Sequence, residues 1–297
     1  MEKLKINMSI EEDTDILAKM KEAYMACPSA IKYVRELGIP EDKIDENITR
    51  IYDFVSDINY CRKCPGIKNC AKHNPLLCTK IVYEEGLVDR QLVPCPKFIE
   101  RVAFEKQFLI RDFDDAWLDV KITDLDNTKD RTAALQKYVK FIKEGKNDWI
   151  YLTGGPNSGR SFLAAAFATD AARKNVGPVC FVNCSTRIGE IASYYAKEKD
   201  RFQKEIERLS NCQILVLDDF GNEFKNDMIR DAILFPIISN RANKKLFTIV
   251  TSDFSINEIV TLYSTSKAGE IRANQIGKLI KAVAGKEINL GELSIYR

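Results

Sequence analysis

The segment from Gly154 to Ser161 constrains this chain more than any other part of the sequence. It lies between a short apolar stretch, Trp149–Thr153, and a run with helical character, Ser161–Lys174. Its residues are Gly154, Gly155, Pro156, Asn157, Ser158, Gly159, Arg160 and Ser161. Glycines in this pattern leave backbone N–H groups free to surround a phosphate, and the following helix directs its N-terminus at the anion. The segment predicts a phosphate-binding loop; the alternative is a glycine turn that binds nothing.

The rest of the C-terminal half alternates between apolar stretches and helical runs. The predicted strands are Trp149–Thr153, Pro178–Cys184, Gln213–Asp219 and Leu246–Ser252. The predicted helices are Ser161–Lys174, Thr186–Leu209, Asp227–Ala242 and Ser255–Leu262. Continuous apolar strands separated by helices indicate an α/β fold with a parallel sheet covered on both faces.

Two positions in the loop carry side-chain chemistry. Ser161 is expected to place its hydroxyl on Mg²⁺, as in other loops of this pattern. Arg160 occupies the position where the pattern has lysine. Arginine keeps the charge but is longer and forked, whereas lysine is a compact point charge. We therefore expect nucleotide binding to survive and the positioning for hydrolysis to be altered.

A second motif follows at a suitable distance, where the strand Ile214–Leu217 ends in two carboxylates. Asp218 is expected to hold Mg²⁺ through its hydration shell, and Asp219 to polarise the attacking water. The alternative is an ordinary strand end with polar residues. The two motifs lie on successive units of one sheet and together favour nucleotide binding.

Composition limits the other possibilities. The 297 residues carry a net charge of +2, so nothing in the overall charge indicates nucleic-acid binding. The chain begins without the apolar run of a signal peptide and has no stretch that would span a bilayer. We expect a cytoplasmic protein with no membrane partner.

Five of the nine cysteines fall between residues 58 and 98, namely Cys61, Cys64, Cys70, Cys78 and Cys95. In a reducing compartment such a cluster indicates a metal rather than disulfides. The pair Cys61 and Cys64 has the spacing of a tetrahedral structural zinc site. The second pair of ligands is to be drawn from Cys70, His73, Cys78 and Cys95. The alternative is reduced cysteines packed in a small core.

The stretch Leu217–Gly221, followed by a helix and then Ile249–Asp253, resembles the AAA+ domain of bacterial replicative-helicase loaders of the DnaI and DnaC type. The end of the chain, Gly269–Arg297, is similar to the basic C-terminal end of these loaders. A cysteine module ahead of the AAA+ domain is the arrangement of the DnaI branch. The resemblance covers most of residues 58–297.

This resemblance implies a function. In the family, an N-terminal domain docks on the DnaB-type helicase, and the AAA+ domain binds ATP and single-stranded DNA during primosome assembly. It also implies self-association into a ring or helical hexamer on the helicase. The expected domains are 1–100, helicase-binding with the zinc module at 58–98; 101–145, a linker with the amphipathic helix Thr132–Lys143; and 146–297, the ATP-binding domain.

Further roles follow from the resemblance alone. Asp253 stands where a sensor asparagine is usual. Arg272 and Lys278 compete for the place of the arginine finger that acts on a neighbouring subunit, and Arg297 is another residue expected to close over the phosphates. Cys95 resembles the last ligand of the zinc module, and Cys78 takes the place of the family's fourth ligand, with Cys70 and His73 as alternatives.

Three functions remain open at this stage: a helicase-loading ATPase, a degenerate AAA+ adaptor that binds ATP without hydrolysing it, and a transposon-type AAA+ targeting ATPase.

Overall fold

The protein forms two compact units, residues 1–103 and 104–297, in a computed structural model. The structure describes residues 10–126 and 128–291, with side chains from residue 15 onward. Arg297 therefore lies outside the described residues, and its expected role remains a prediction.

The first unit combines helices with one hairpin. Its helices are α1 (Ile10–Met25), α2 (Pro28–Glu36), α3 (Glu41–Glu46), α4 (Ile48–Cys61) and α5 (Pro96–Glu105), the last of which runs to the start of the second unit. Strands β1 (Leu77–Glu84) and β2 (Leu87–Pro94) pair antiparallel. Glu85 and Gly86 both have positive φ, which suits the right-handed twist of a two-residue hairpin turn. Val34, Ile51 and Ile81 are fully buried in one core.

The second unit is built on a six-stranded sheet. Its strands are β3 (Phe108–Arg111), β4 (Ile150–Thr153), β5 (Val179–Asn183), β6 (Ile214–Asp218), β7 (Thr248–Ser252) and β8 (Ile288–Asn289). All neighbours pair in parallel, in the order β3-β5-β6-β7-β4-β8. The predicted parallel α/β sheet is confirmed.

Helices cover both faces of this sheet. They are α6 (Lys129–Glu144), α7 (Arg160–Arg173), α8 (Cys184–Tyr194), α9 (Lys199–Asn211), α10 (Phe235–Lys244), α11 (Ile256–Tyr263) and α12 (Lys267–Ala284). Successive strand residues serve opposite cores because side chains alternate across a strand. Leu215 and Leu217 pack against α8–α12, whereas Val216 packs with α6 and α7.

The long charged helix predicted for Thr186–Leu209 was wrong. It is two helices, α8 and α9, separated at residues 195–198. A straight helix of that length would extend about 36 Å, beyond the sheet that it must cover. The break lets Ile191 and Ile206 both reach the same buried core. The helix predicted for Asp227–Ala242 is present, and it contains a π-helical turn at Ile229–Leu234 before α10.

The segment 101–145, expected to be a linker, supplies strand β3 of the sheet as well as the predicted amphipathic helix, α6. In the described ranges, no helix is long and apolar enough to cross a membrane.

Arg241 ties three elements of the second unit together. It is fully buried on α10 and donates to the carbonyls of Leu209 and Cys212, at 3.0 and 2.7 Å, and to that of Phe247. These carbonyls lie at the end of α9 and before β7, so one buried guanidinium supplies a charged donor to backbone groups of two other elements.

Candidate nucleotide-binding site

The loop 154–159 leaves the carboxyl end of β4 and enters α7. Gly159 caps the helix in the left-handed conformation, with φ of 86°. A Cβ atom on Gly154 would lie 2.7 Å from the carbonyl oxygen of Gly291, so this position has room only for glycine. The N–H groups at the start of a helix have no partner within it, and here they open at the loop. The loop thus has the form that a phosphate requires.

Asp218, Ser161 and Thr251 meet beside this loop. Asp218 ends β6 and is 4% exposed. It accepts a hydrogen bond from the hydroxyl of Thr251, at 2.6 Å, and the hydroxyl of Ser161 lies near enough to favour its charged form. Burial, opposed by these two hydroxyls, raises the pKa of Asp218 to about 6. A buried carboxylate next to a serine hydroxyl at a helix N-terminus is a donor set that suits Mg²⁺ bound to phosphates.

Asp219 follows with a left-handed backbone, φ of 54°. Its N–H donates to Thr251 Oγ1 at 3.0 Å, and its Oδ2 accepts from Asn183 Nδ2 at 3.4 Å. Asn183 ends the neighbouring strand, β5. The unusual backbone turns Asp219 along the edge of the sheet rather than into the core. A partly exposed carboxylate held in this way can orient a water molecule.

Arg160 does not extend freely from the loop. Its side chain is 8% exposed and forms an ion pair with Asp253, with 2.5 Å between Nη2 and Oδ1. It also donates to the carbonyl of Ser252, at 2.5 Å, and to that of Gly154. Asn222 Nδ2 donates to the other oxygen of Asp253 at 2.8 Å. Burial opposes ionisation of Asp253, but the hydrogen bonds from Asn222 and Arg160 outweigh it and lower the pKa. The two residues that depart from the family pattern are therefore bonded to each other.

A cavity of about 840 Å³ adjoins the loop. Its lining includes Gly155, Pro156, Lys281, Lys286 and Asn289. A cleft of this size is within the range of small-molecule sites and lies where the remainder of a nucleotide would extend from the loop.

The two candidate fingers lie on α12. Arg272 is held within its own chain: it lies over the Phe235 ring at 3.8 Å and 3.6 Å from Asp231. Lys278 is exposed. Neither role is decided by this arrangement, and both remain predictions.

In the first unit, the thiol of Cys78 on β1 is near enough to those of Cys61 and Cys95 for the three to influence one another's ionisation. Cys64 is near enough to Cys61 to oppose its ionisation. The ammonium of Lys72 lies 3.7 Å from the Cys78 sulfur. Burial raises the pKa of Cys78 to about 11, against the charge of Lys72. Three of the four predicted ligands are thus neighbours, but the described part of the chain holds no group of three or more such side chains in metal-binding geometry. The alternatives Cys70 and His73 form no closer set; His73 is exposed.

Four site residues were not predicted: Asn183, Asn222, Thr251 and Ser252. The sequence held a signal for three of them, because they lie at the carboxyl ends of predicted parallel strands, where ligands bind in such sheets. Asn222 lies in a loop and had none.

A phosphate-binding loop beside a buried acidic strand end, on a parallel sheet covered on both faces, defines a P-loop protein of the AAA+ type. Residues 102–268, more than half of the chain, match the family of IstB-like ATP binding proteins. The chain belongs to this family.

Individual relatives match over a longer range. The chain is 22% identical over 281 residues to the replicative helicase loader DnaI of Bacillus subtilis (strain 168), covering 90% of this chain and 88% of that protein. A crystal structure of DnaI superposes with a TM-score of 0.55 at 23% identity, over 62% of this chain and 97% of that one. A proposed primosome component from Streptococcus pyogenes serotype M3 gives 0.54 at 21% identity, over 66% and 99%. These structures share the fold.

Proposed function

We propose that this protein is an ATP-binding loader of the replicative DnaB-type helicase, acting on single-stranded DNA in the cytoplasm during primosome assembly. The observation that carries the proposal is the buried Asp218 carboxylate beside the Ser161 hydroxyl at the foot of the loop, in a chain similar to DnaI over 90% of its length. The similarity spans 281 residues, more than the second unit contains, so it extends into the N-terminal unit.

ATP would bind with its phosphates in the loop and Mg²⁺ between them and Ser161, with Asp218 behind the ion. The ion would neutralise charge on the phosphates. Asp219 would orient water for hydrolysis, helped by Asn183. Because Arg160 is engaged by Asp253, we expect this turnover to be slow.

Association with the helicase is the direct test of the loader. The full-length protein, passed over the immobilised replicative helicase of the same organism, should be retained. Ser161→Ala is a matched control, because it alters the nucleotide site and leaves the N-terminal unit unchanged. Retention of both proteins supports docking through the N-terminal unit. If neither is retained, with or without ATP and single-stranded DNA, the loader proposal is wrong.

Assembly of several subunits belongs to the same proposal. Arg272 or Lys278 would then reach the site of a neighbouring subunit. Arg272→Ala and Lys278→Ala should be compared in ATP turnover with helicase and DNA present. The finger is the residue whose loss abolishes the stimulation by the helicase while ATP binding stays unchanged.

We also propose a structural zinc ion held by Cys61, Cys64, Cys78 and Cys95. The proximity of three of these thiols supports it, together with the Cys61–Cys64 spacing of tetrahedral structural zinc sites. Metal analysis of the purified chain should give one zinc per molecule, and Cys78→Ser should lose it while Cys70→Ser keeps it. Absence of zinc from the wild-type protein would contradict the proposal.

A second candidate is an adaptor that binds ATP without hydrolysing it, and the Arg160–Asp253 ion pair favours it specifically. Turnover measured with and without helicase and DNA separates the two functions: the loading ATPase should be stimulated, and the adaptor should stay inactive. A transposon-type targeting ATPase, the third possibility, would not associate with the helicase.

A further inference from the structure

The pairing of Arg160 with Asp253 bears on which nucleotide the site prefers. We propose that Asp253 withdraws the loop's cation from the terminal phosphate, so that the site holds a nucleoside diphosphate at least as tightly as the triphosphate. This inference rests on the proposed nucleotide binding and adds a specificity-determining residue, Asp253, to it.

The first step is geometric. Three acceptors, the carbonyls of Gly154 and Ser252 and the carboxylate of Asp253, fix the guanidinium of Arg160 at the ends of β4 and β7. The strand order places β7 between β6 and β4, so Asp253 stands between the loop and Asp218. Asn222 donates to the second oxygen of Asp253, so both oxygens of this carboxylate are engaged.

The second step is electrostatic. In the usual loop a lysine offers a charge of +1 to the outer phosphates. Here the ion pair sums to zero, and a guanidinium that turned to the phosphate would leave Asp253 ionised beside it. The Asp253 carboxylate and the terminal phosphate would then repel each other, and the partial burial of Asp253 strengthens this repulsion.

The neighbouring cleft does not make up the lost charge. Its charged lining residues are Asp253, Glu258, Lys281, Lys286 and Glu287. The two lysines there are balanced by the two glutamates, and Asp253 is balanced by Arg160. The additional negative charge of a triphosphate therefore meets a site with no uncompensated side-chain cation among these residues.

The test is the ratio of two dissociation constants. The full-length protein is titrated calorimetrically, in excess Mg²⁺, with ADP and with a non-hydrolysable ATP analogue. The wild type should bind ADP at least as tightly as the analogue. Asp253→Asn should tighten the analogue about tenfold and change ADP less than about threefold, because removing one nearby charge acts mainly on the third phosphate. Glu258→Gln, a carboxylate of the same cleft that does not contact Arg160, should leave the ratio unchanged.

The outcomes separate this inference from the function on which it rests. A wild type that binds the triphosphate analogue measurably more tightly than ADP overturns the inference, whatever the variants do. So does Asp253→Asn if it shifts both nucleotides equally. If no nucleotide binds to the folded protein or its variants, the proposed function fails as well, and the two results cannot be confused.

Discussion

Replacing Asp218 with asparagine should stabilise the protein while weakening its Mg²⁺-dependent nucleotide binding. The cause is the burial of the Asp218 carboxylate, which raises its pKa from about 4 to about 6. Each unit of pKa corresponds to about 1.4 kcal/mol, so the folded state carries the charge at a cost of about 3 kcal/mol at neutral pH. Asparagine removes this cost but replaces the hydrogen bond from Thr251 and the interaction with Ser161 imperfectly. We expect a net gain of about 1–2 kcal/mol.

The pH dependence identifies the cause. The folded pKa of Asp218 lies above the unfolded one, so its contribution to stability is greatest below about pH 4 and is lost as the pH rises through 6. The advantage of Asp218→Asn over the wild type should therefore grow by about 1 kcal/mol between pH 5 and pH 7.5.

Urea unfolding without Mg²⁺, followed by tryptophan fluorescence, measures this difference. Both tryptophans, Trp117 and Trp149, lie in the second unit, so the signal reports the unit that contains Asp218. Asp148→Asn, at an exposed position of the same unit, is the control and should show no such trend. An Asp218→Asn protein that is no more stable at pH 7.5, or whose advantage does not vary with pH, would refute the reasoning.

Three other changes probe separate parts of the account. Ser161→Ala removes the hydroxyl beside Asp218 and should weaken magnesium-ATP binding about tenfold, since a charge-assisted contact contributes about 1.5–3 kcal/mol. An unchanged affinity in a calorimetric titration would exclude a role of Ser161 in nucleotide binding. Cys78→Ser should lower the free energy of unfolding of the first unit in protein purified with zinc, but not in protein treated with a chelator. An equal loss of stability in the two samples, measured by circular dichroism, would mean that the Cys78 thiol contributes by packing and not by binding zinc. Arg241→Met removes the charged donor shared by three buried carbonyls and should cost about 3 kcal/mol in urea unfolding, with nucleotide affinity of the folded protein unchanged.

The parallel sheet could be predicted because its strands are short apolar runs bounded by helices. The observed strands β4 to β7 lie within the predicted ones, shorter by one or two residues at an end. Strand β3 was missed, since four residues, Phe108–Arg111, are too few to be distinguished from a linker by their pattern. The break between α8 and α9 was missed because residues 195–198 contain neither glycine nor proline, and tertiary packing alone decides it.

For the site, the sequence predicted the loop and the acidic strand end, both of which are local patterns. The structure brings Ser161 to Asp218, and it holds Arg160 against Asp253. The second contact joins residues 93 positions apart and depends on β7 lying next to β4. Strand order is a property of the whole sheet. No local sequence pattern therefore reveals that Arg160 and Asp253, the two residues that differ from the family pattern, form an ion pair with each other.

Calorimetric titration of the purified, folded protein with magnesium-ATP measures whether the loop 154–161 binds a nucleotide together with Mg²⁺. We predict saturable binding of one nucleotide per chain that weakens when EDTA removes the metal. Protein that is folded by circular dichroism, yet releases no heat and retains no nucleotide in equilibrium dialysis, would contradict the account.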